Sequence, residues 1–228
     1  MDKPAILFDL DGTLVETAPD LIGTLNHLLA QENCPPAPDP VIRSMISLGA
    51  RAMLVKGFEL AQKPQTEPQY DALTKRFIDH YSKHIAIHSH PFPGIIKALD
   101  QLLKRGHPLG VCTNKPESLS KRLLEQLAMD HYFSAVIGID TLPFKKPHPG
   151  HVLGTIEAIG GASNHAIMIG DSEVDITAAQ AANIPVIAVD FGYSPEPVAN
   201  FHPDAIVSHY DDLLVTIDSF FSQRQVSE

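Results

Sequence analysis

The chain has two cysteines in 228 residues, Cys34 and Cys112, far apart and without a CxxC pair. That scarcity excludes a disulfide framework and a zinc knuckle, leaving two reduced thiols, with Cys112 expected in the core. Long apolar runs are also missing. Stretches such as Ile184 to Val189 fall far short of the roughly 20 residues that cross a bilayer, and only Ala5 to Phe8 are apolar before Asp9, too few for a signal peptide. The expectation is a cytoplasmic protein with no membrane partner. Basic charge is sparse: 17 Lys+Arg against 27 Asp+Glu give a net charge of −10, and no Lys/Arg run exists. Such a chain repels nucleic acid and acidic membrane surfaces. No low-complexity tract is present, and 44% hydrophobic with 19% charged residues describes an ordinary globular protein. At this length, folding buries roughly 70% of the unfolded chain's surface.

Short apolar runs recur at Ala5 to Phe8, Leu109 to Cys112, Ala135 to Ile139, Ala166 to Ile169, Pro185 to Val189 and Ala205 to Val207, and they read as buried strands. Between the later runs lie amphipathic helical patterns, Ile95, Leu99, Leu102, Leu103 and Leu119, Leu123, Leu124, Leu127, each following a proline. Alternating strands and helices imply a parallel α/β sheet. The rhythm is broken once. Asp9 and Thr113 are separated by far more than the roughly 30 residues of a βα repeat, so a subdomain is inserted between them. The insert carries helical patterns around Leu21 to Leu29, Met53 to Phe58 and Leu73 to Tyr81, with no convincing strand. Turn residues at Pro19 and at Pro91-Phe92-Pro93-Gly94 mark its edges, while prolines 35, 36, 38 and 40 separate its first helix from its second.

Ligands of parallel sheets bind beyond the carboxyl ends of the strands. There the chain places Asp9-Leu10-Asp11-Gly12-Thr13, Thr113-Asn114, Lys145-Lys146-Pro147 and Gly170-Asp171-Ser172-Glu173-Val174-Asp175. Carboxylates brought about 4 Å apart repel by several kcal/mol at an effective dielectric near 20, so this cluster calls for a cation. An all-oxygen set with room for water and substrate favours Mg²⁺. The metal and a lysine would in turn attract a phosphate, with Gly12 allowing a tight turn and Thr113 adding a donor.

These four segments, in this order, resemble the four motifs of the haloacid dehalogenase superfamily of phosphohydrolases, across essentially the whole chain. The insert is similar to that superfamily's small α-helical cap. Thr17-Ala18-Pro19-Asp20-Leu21 with Gly49-Ala50-Arg51 resembles the phosphoglycolate phosphatases within it. The resemblance implies an α/β fold with a Rossmann-like parallel-sheet core, residues 1–16 and 92–228, and an inserted α-helical cap, residues 17–91. It implies Mg²⁺-dependent hydrolysis of a small phosphorylated metabolite, 2-phosphoglycolate in particular, by a monomer or homodimer. Asp9 would be the nucleophile and Asp11 the general acid and then base. Asp9 and Asp171 would ligate the metal through side chains and Asp11 through its carbonyl. Thr113, Asn114 and Lys146 would hold the phosphoryl group, with Lys146 preferred to Lys145 because it directly precedes Pro147. Asp175 would orient Lys146 or a metal-bound water.

Two positions bear on specificity. Glu16 stands where phosphoglycolate phosphatases commonly have Asp, which affects the hinge into the cap and not the chemistry. Arg51 is a candidate for gripping a substrate carboxylate from the cap, against the alternative of a solvated arginine. The cap histidines His80, His84, His88 and His90 are read as bland because no carboxylate or cysteine pattern accompanies them. Two other functions share the motifs: a phosphomutase of the β-phosphoglucomutase type, and a catalytically silent module that binds metal and phosphate.

Overall fold

The computed structural model describes residues 3–224, so the outermost residues of the expected core, 1–2 and 225–228, lie outside the described residues. Six parallel strands form the main sheet: β1 (Ala5–Phe8), β4 (Leu109–Cys112), β5 (Ala135–Ile137), β6 (Ala166–Gly170), β7 (Val186–Val189) and β8 (Ala205–Val207), in the order β5-β4-β1-β6-β7-β8. Helices α5 (Ile95–Lys104), α6 (Glu117–Gln126), α7 (Pro149–Ala158), α8 (Glu173–Ala181) and α9 (Leu213–Arg224) connect and flank them. Strands β1, β4, β6 and β7 are buried along their whole length, as the continuous apolar runs require of a sheet covered on both faces.

The strand order decides where chemistry can occur. The first strand is central, with β4 on one side and β6 on the other, so the chain reverses its winding direction at β1. The crevice beyond the ends of three adjacent strands opens there.

The third expected strand ends two residues early. Gly138 packs so tightly on the Lys115–Glu117 backbone that a Cβ would sit 2.3 Å from Glu117 N, and its N–H turns to Thr141 Oγ1 at 2.9 Å. Leu103, counted with the apolar stripe of α5, is instead exposed at the stripe's edge.

The insert is helical: α1 (Ala18–Gln31), α2 (Asp39–Arg43), α3 (Ala50–Leu60) and α4 (Glu67–Lys83). Proline lies in the first turn of α1, and Thr66 and Gln69 form a reciprocal capping box on α4. The helices bury Leu25, Leu29, Leu54, Phe58, Leu73 and Phe77 against one another. Gly57 lets α3 approach α1, since a Cβ there would lie 3.1 Å from Leu25 Cδ1.

One strand pair escaped the pattern reading. Val15–Glu16 (β2) and His90–Pro91 (β3) form a two-residue antiparallel ribbon, with Val15 opposite Pro91 and Glu16 opposite His90, at the two crossings into the insert. A run of two residues is too short to show a period. Asp20 of α1 secures the return crossing, accepting from His88 N, Ser89 N and Ser89 Oγ at 2.7–3.0 Å.

Candidate active site

Strand β1 delivers Asp9 and Asp11, β4 delivers Thr113, and β6 delivers Asp171, all into the crevice where the winding reverses. Asp9, Asp171 and Asp175 bring ligand oxygens within 4.8 Å of one another. Lys146, from the loop between β5 and α7, is 2% exposed and stands 2.9 Å from Asp9 Oδ1 and 2.5 Å from Asp175 Oδ1. Both carboxylates hold its ammonium in the charged form against the burial that opposes it.

Each acid has a different set of partners. Asp175 is saturated: Oδ1 faces Lys146, and Oδ2 accepts from Ser172 N at 3.1 Å and Ser172 Oγ at 2.6 Å, closing the capping box of α8. Its Oδ1 thus bears directly on the Lys146 ammonium. Asp171 accepts from Thr13 Oγ1 and from Tyr193 N, both at 2.8 Å. Burial, followed by the neighbouring Asp175 and Asp9 charges, pushes its carboxyl far above the usual range. Asp9 is pushed up to about 6, chiefly by burial, although Lys146 opposes the shift. Its Oδ1 faces Lys146 Nζ at 2.9 Å as an ion pair outside hydrogen-bond geometry and has no hydrogen-bond partner among the described residues.

These observations fit a hard divalent cation. Two buried carboxylates with raised pKa, no soft donor among them and an unsatisfied oxygen on one are stabilised when a cation takes those lone pairs. The backbone is built around this corner. A Cβ on Gly12, whose φ is +87°, would lie 2.5 Å from Asp171 Oδ2, and one on Gly192 would lie 2.2 Å from Asp171 Cβ. Only glycine lets both loops wrap the carboxylate.

Among the substrate residues expected from sequence, Thr113 is buried at the cavity wall and accepts from Lys115 N at 3.2 Å. Asn114 grips the Lys146 backbone twice: Lys146 N donates to Asn114 Oδ1 and Asn114 Nδ2 donates to Lys146 O, each at 3.0 Å. Lys145 is exposed at the rim. Arg51 reaches the same cavity but is paired with Glu67 and, at 2.7 Å, with Asp71, both on α4 of its own cap. Glu16 accepts from Tyr193 Oη at 2.7 Å and pairs with Arg43 at 2.9 Å, joining hinge, cap and core. The cap histidines contribute no ligand cluster among the described residues, and His80 stacks between His27 and His84.

Sequence reasoning missed Lys115. Its side chain is 4% exposed, and its ammonium donates to Asp11 Oδ1 at 3.0 Å, Asp11 Oδ2 at 3.1 Å and Tyr81 Oη at 2.9 Å. Tyr81 belongs to α4, so this contact joins the core's second acid to the cap. The available signal was its place immediately after Thr113-Asn114 at a strand end. A cavity of about 560 Å³ lies between cap and core, within the ordinary range for small-molecule sites.

A buried acidic cluster beside a buried lysine, at the winding reversal of a parallel sheet and under a helical cap, defines the class. The chain belongs to the haloacid dehalogenase-like hydrolases, whose pattern it matches over residues 6–189. Within that family it is a phosphoric monoester hydrolase. It is 43% identical over 217 residues to a phosphoglycolate phosphatase of Mesorhizobium japonicum, covering 95% of this chain and 96% of that one. It is 47% identical over 213 residues to a phosphoglycolate phosphatase of Caulobacter vibrioides, covering 93% and 90%. A crystal structure of a predicted phosphoglycolate phosphatase from Haemophilus somnus superposes with a TM-score of 0.88 at 31% identity, covering 95% of this chain and 98% of that one. No described helix is long and apolar enough to cross a membrane.

Proposed function

We propose that the protein hydrolyses 2-phosphoglycolate to glycolate and phosphate with Mg²⁺, through a phosphoryl group carried on Asp9. The observation that carries this reading is the convergence of Asp9, Asp11, Lys146 and Asp171 on one crevice, with a second cationic residue, Lys115, behind Asp11. The names of the similar proteins support the substrate.

Asp9 attacks phosphorus, the ester P–O bond breaks, and the departing alkoxide takes a proton from Asp11. Water then attacks the same phosphorus, Asp11 removes its proton, and phosphate leaves as the Asp9 carboxylate is restored. Splitting the displacement in two lets one carboxylate act as nucleophile and the other manage both proton transfers. Lys146 offsets negative charge on the phosphoryl oxygens, and the Thr113 hydroxyl, whose oxygen is engaged by Lys115 N, turns its hydrogen toward them. Asn114 holds the Lys146 backbone in place and Asp175 its ammonium. Mg²⁺, held by the Asp9 and Asp171 side chains and the Asp11 carbonyl, would neutralise the carboxylates and polarise the phosphoryl group.

Residues 17–91 act as the cap that excludes water, turning on the ribbon of Val15–Glu16 and His90–Pro91. The protein works in the cytoplasm, in keeping with two free, buried cysteines. A panel of phosphate esters, assayed for free phosphate with Mg²⁺ and no acceptor sugar, tests the reading. Fastest turnover of 2-phosphoglycolate is expected. Transfer to a sugar phosphate without phosphate release would make the protein a mutase, and no turnover of any ester would make it a silent binding module.

A further inference from the structure

We propose that Lys115, and not Arg51, is the cation that recognises the substrate's carboxylate. The inference rests on the 2-phosphoglycolate reading and concerns which residue enforces it. The chemistry of the substrate fixes where such a cation must stand. In 2-phosphoglycolate the carboxyl carbon is separated from the ester oxygen by a single methylene. The general acid must touch that ester oxygen to protonate it. The carboxylate therefore lies about one hydrogen-bond length beyond the general acid's own contact, and its partner must be a neighbour of Asp11.

Lys115 meets this requirement. Its ammonium lies 3.0 and 3.1 Å from the two Asp11 oxygens, lines the cavity and is buried. The cavity's other cations are committed or remote. Lys146 lies between Asp9 and Asp175, Arg51 is held by Glu67 and Asp71 on the cap surface, and Lys145 is exposed at the rim. Lys115 faces a single carboxylate, that of Asp11, and its third donor goes to a neutral phenol, Tyr81 Oη at 2.9 Å, so a substrate carboxylate takes the place of one of these contacts without leaving a second buried acid unpaired.

That phenol adds a second element. Tyr81 is 1% exposed and comes from α4, so the ammonium is held from the core side by Asp11 and from the cap side by Tyr81. Charge-assisted contacts in a site closed from water are stronger and more selective than the same pair at the surface. A carboxylate entering here exchanges its hydration for Lys115. An ester without one leaves this cation with nothing gained, and the discrimination arises from that difference.

The test compares kcat/KM for 2-phosphoglycolate and for ethyl phosphate, which replaces the carboxylate by a methyl group, in wild type, K115Q, K115M, K115R and R51A. Removing the cation also disturbs Asp11, so both rates fall in K115Q; the informative quantity is their ratio. The wild-type ratio is expected to drop about 10-fold or more in K115Q, the scale of a lost charged hydrogen bond. R51A is expected to keep the ratio within about threefold, as its contacts are solvent-facing. K115M answers the same question if K115Q does not fold, and K115R, which keeps the charge, should restore much of the preference. A folded K115Q that retains the wild-type ratio, or a ratio lost in R51A instead, overturns the assignment while leaving the phosphoglycolate reading intact. A wild type with no preference for 2-phosphoglycolate over ethyl phosphate removes that reading and the role of Lys115 with it.

Discussion

Tyr193 donates its backbone N–H to Asp171 Oδ2 across 2.8 Å, tying the acidic cluster to a residue that also touches the crossing into the helical insert. The same residue's phenol donates to Glu16 Oε1 at 2.7 Å and accepts from Thr17 N at 2.6 Å and Ala18 N at 3.0 Å. Glu16 in turn holds Arg43 of α2. One residue thus joins the loop after β7, the carboxylate after β6 and the crossing into the cap. The longer side chain at Glu16 is accommodated by this arrangement, since it reaches both the phenol and the guanidinium.

Replacing Tyr193 by Phe keeps the ring of a residue that is 2% exposed and deletes only the hydroxyl. Thr17 N then loses its acceptor inside the protein, so unfolding free energy should fall by about 1–3 kcal/mol in a urea titration. If the hinge governs closure, kcat/KM should fall with it. Unchanged stability would show that water replaces the phenol at no cost.

Chelation with EDTA should abolish turnover, and added Mg²⁺ should restore it. Calcium should substitute poorly, because its looser and larger shell misplaces nucleophile and phosphoryl group. Gly192→Ala should mimic metal loss, since the new Cβ would lie 2.2 Å from Asp171 Cβ and displace the carboxylate. Full activity in metal-free buffer would refute the metal assignment.

His151 predicts a pH dependence of stability. It is fully buried, its Nδ1 has no hydrogen-bond partner among the described residues, and its pKa is pushed down to about 4, first by burial and then by the Lys146 charge; the Ile137 carbonyl and Asp175 act in the opposite direction. A histidine with a lowered folded pKa stabilises above its unfolded value, near 6.5, and loses that contribution as pH falls toward about 4. The stability of wild type relative to His151→Gln should therefore decline by about 2 kcal/mol between pH 7 and pH 4. A difference that stays constant over this window would mean that His151 is not buried in its neutral form.

The sequence disclosed the central strands because each is a four- or five-residue apolar run that stops at a polar group, and Asp9, Thr113 and Asp171 follow those stops directly. The Lys146 backbone and ammonium are held by Asn114 and Asp175, and the resemblance to the four motifs singled out all three residues, with Asn114 expected at the phosphoryl group and not at the Lys146 backbone. Other parts were not legible. The two-residue ribbon has no period, and Tyr193 lies 177 positions from Glu16, a pairing that only the folded sheet creates. Lys115 resembles any surface lysine until Tyr81 of the cap closes over it. The stripe of α5 overreached at Leu103, because period alone does not state where a helix face ends.

The proposed chemistry stands on Asp9 carrying the phosphoryl group. Rapid acid quench during turnover of 2-phosphoglycolate, followed by mass spectrometry of the digested protein, should find a phosphoryl adduct on the peptide containing Asp9. The adduct should be absent from Asp9→Asn, whose kcat falls by several orders of magnitude while its fold is retained. An adduct on another residue, or an Asp9→Asn protein that keeps about a tenth of wild-type kcat, would contradict the claim.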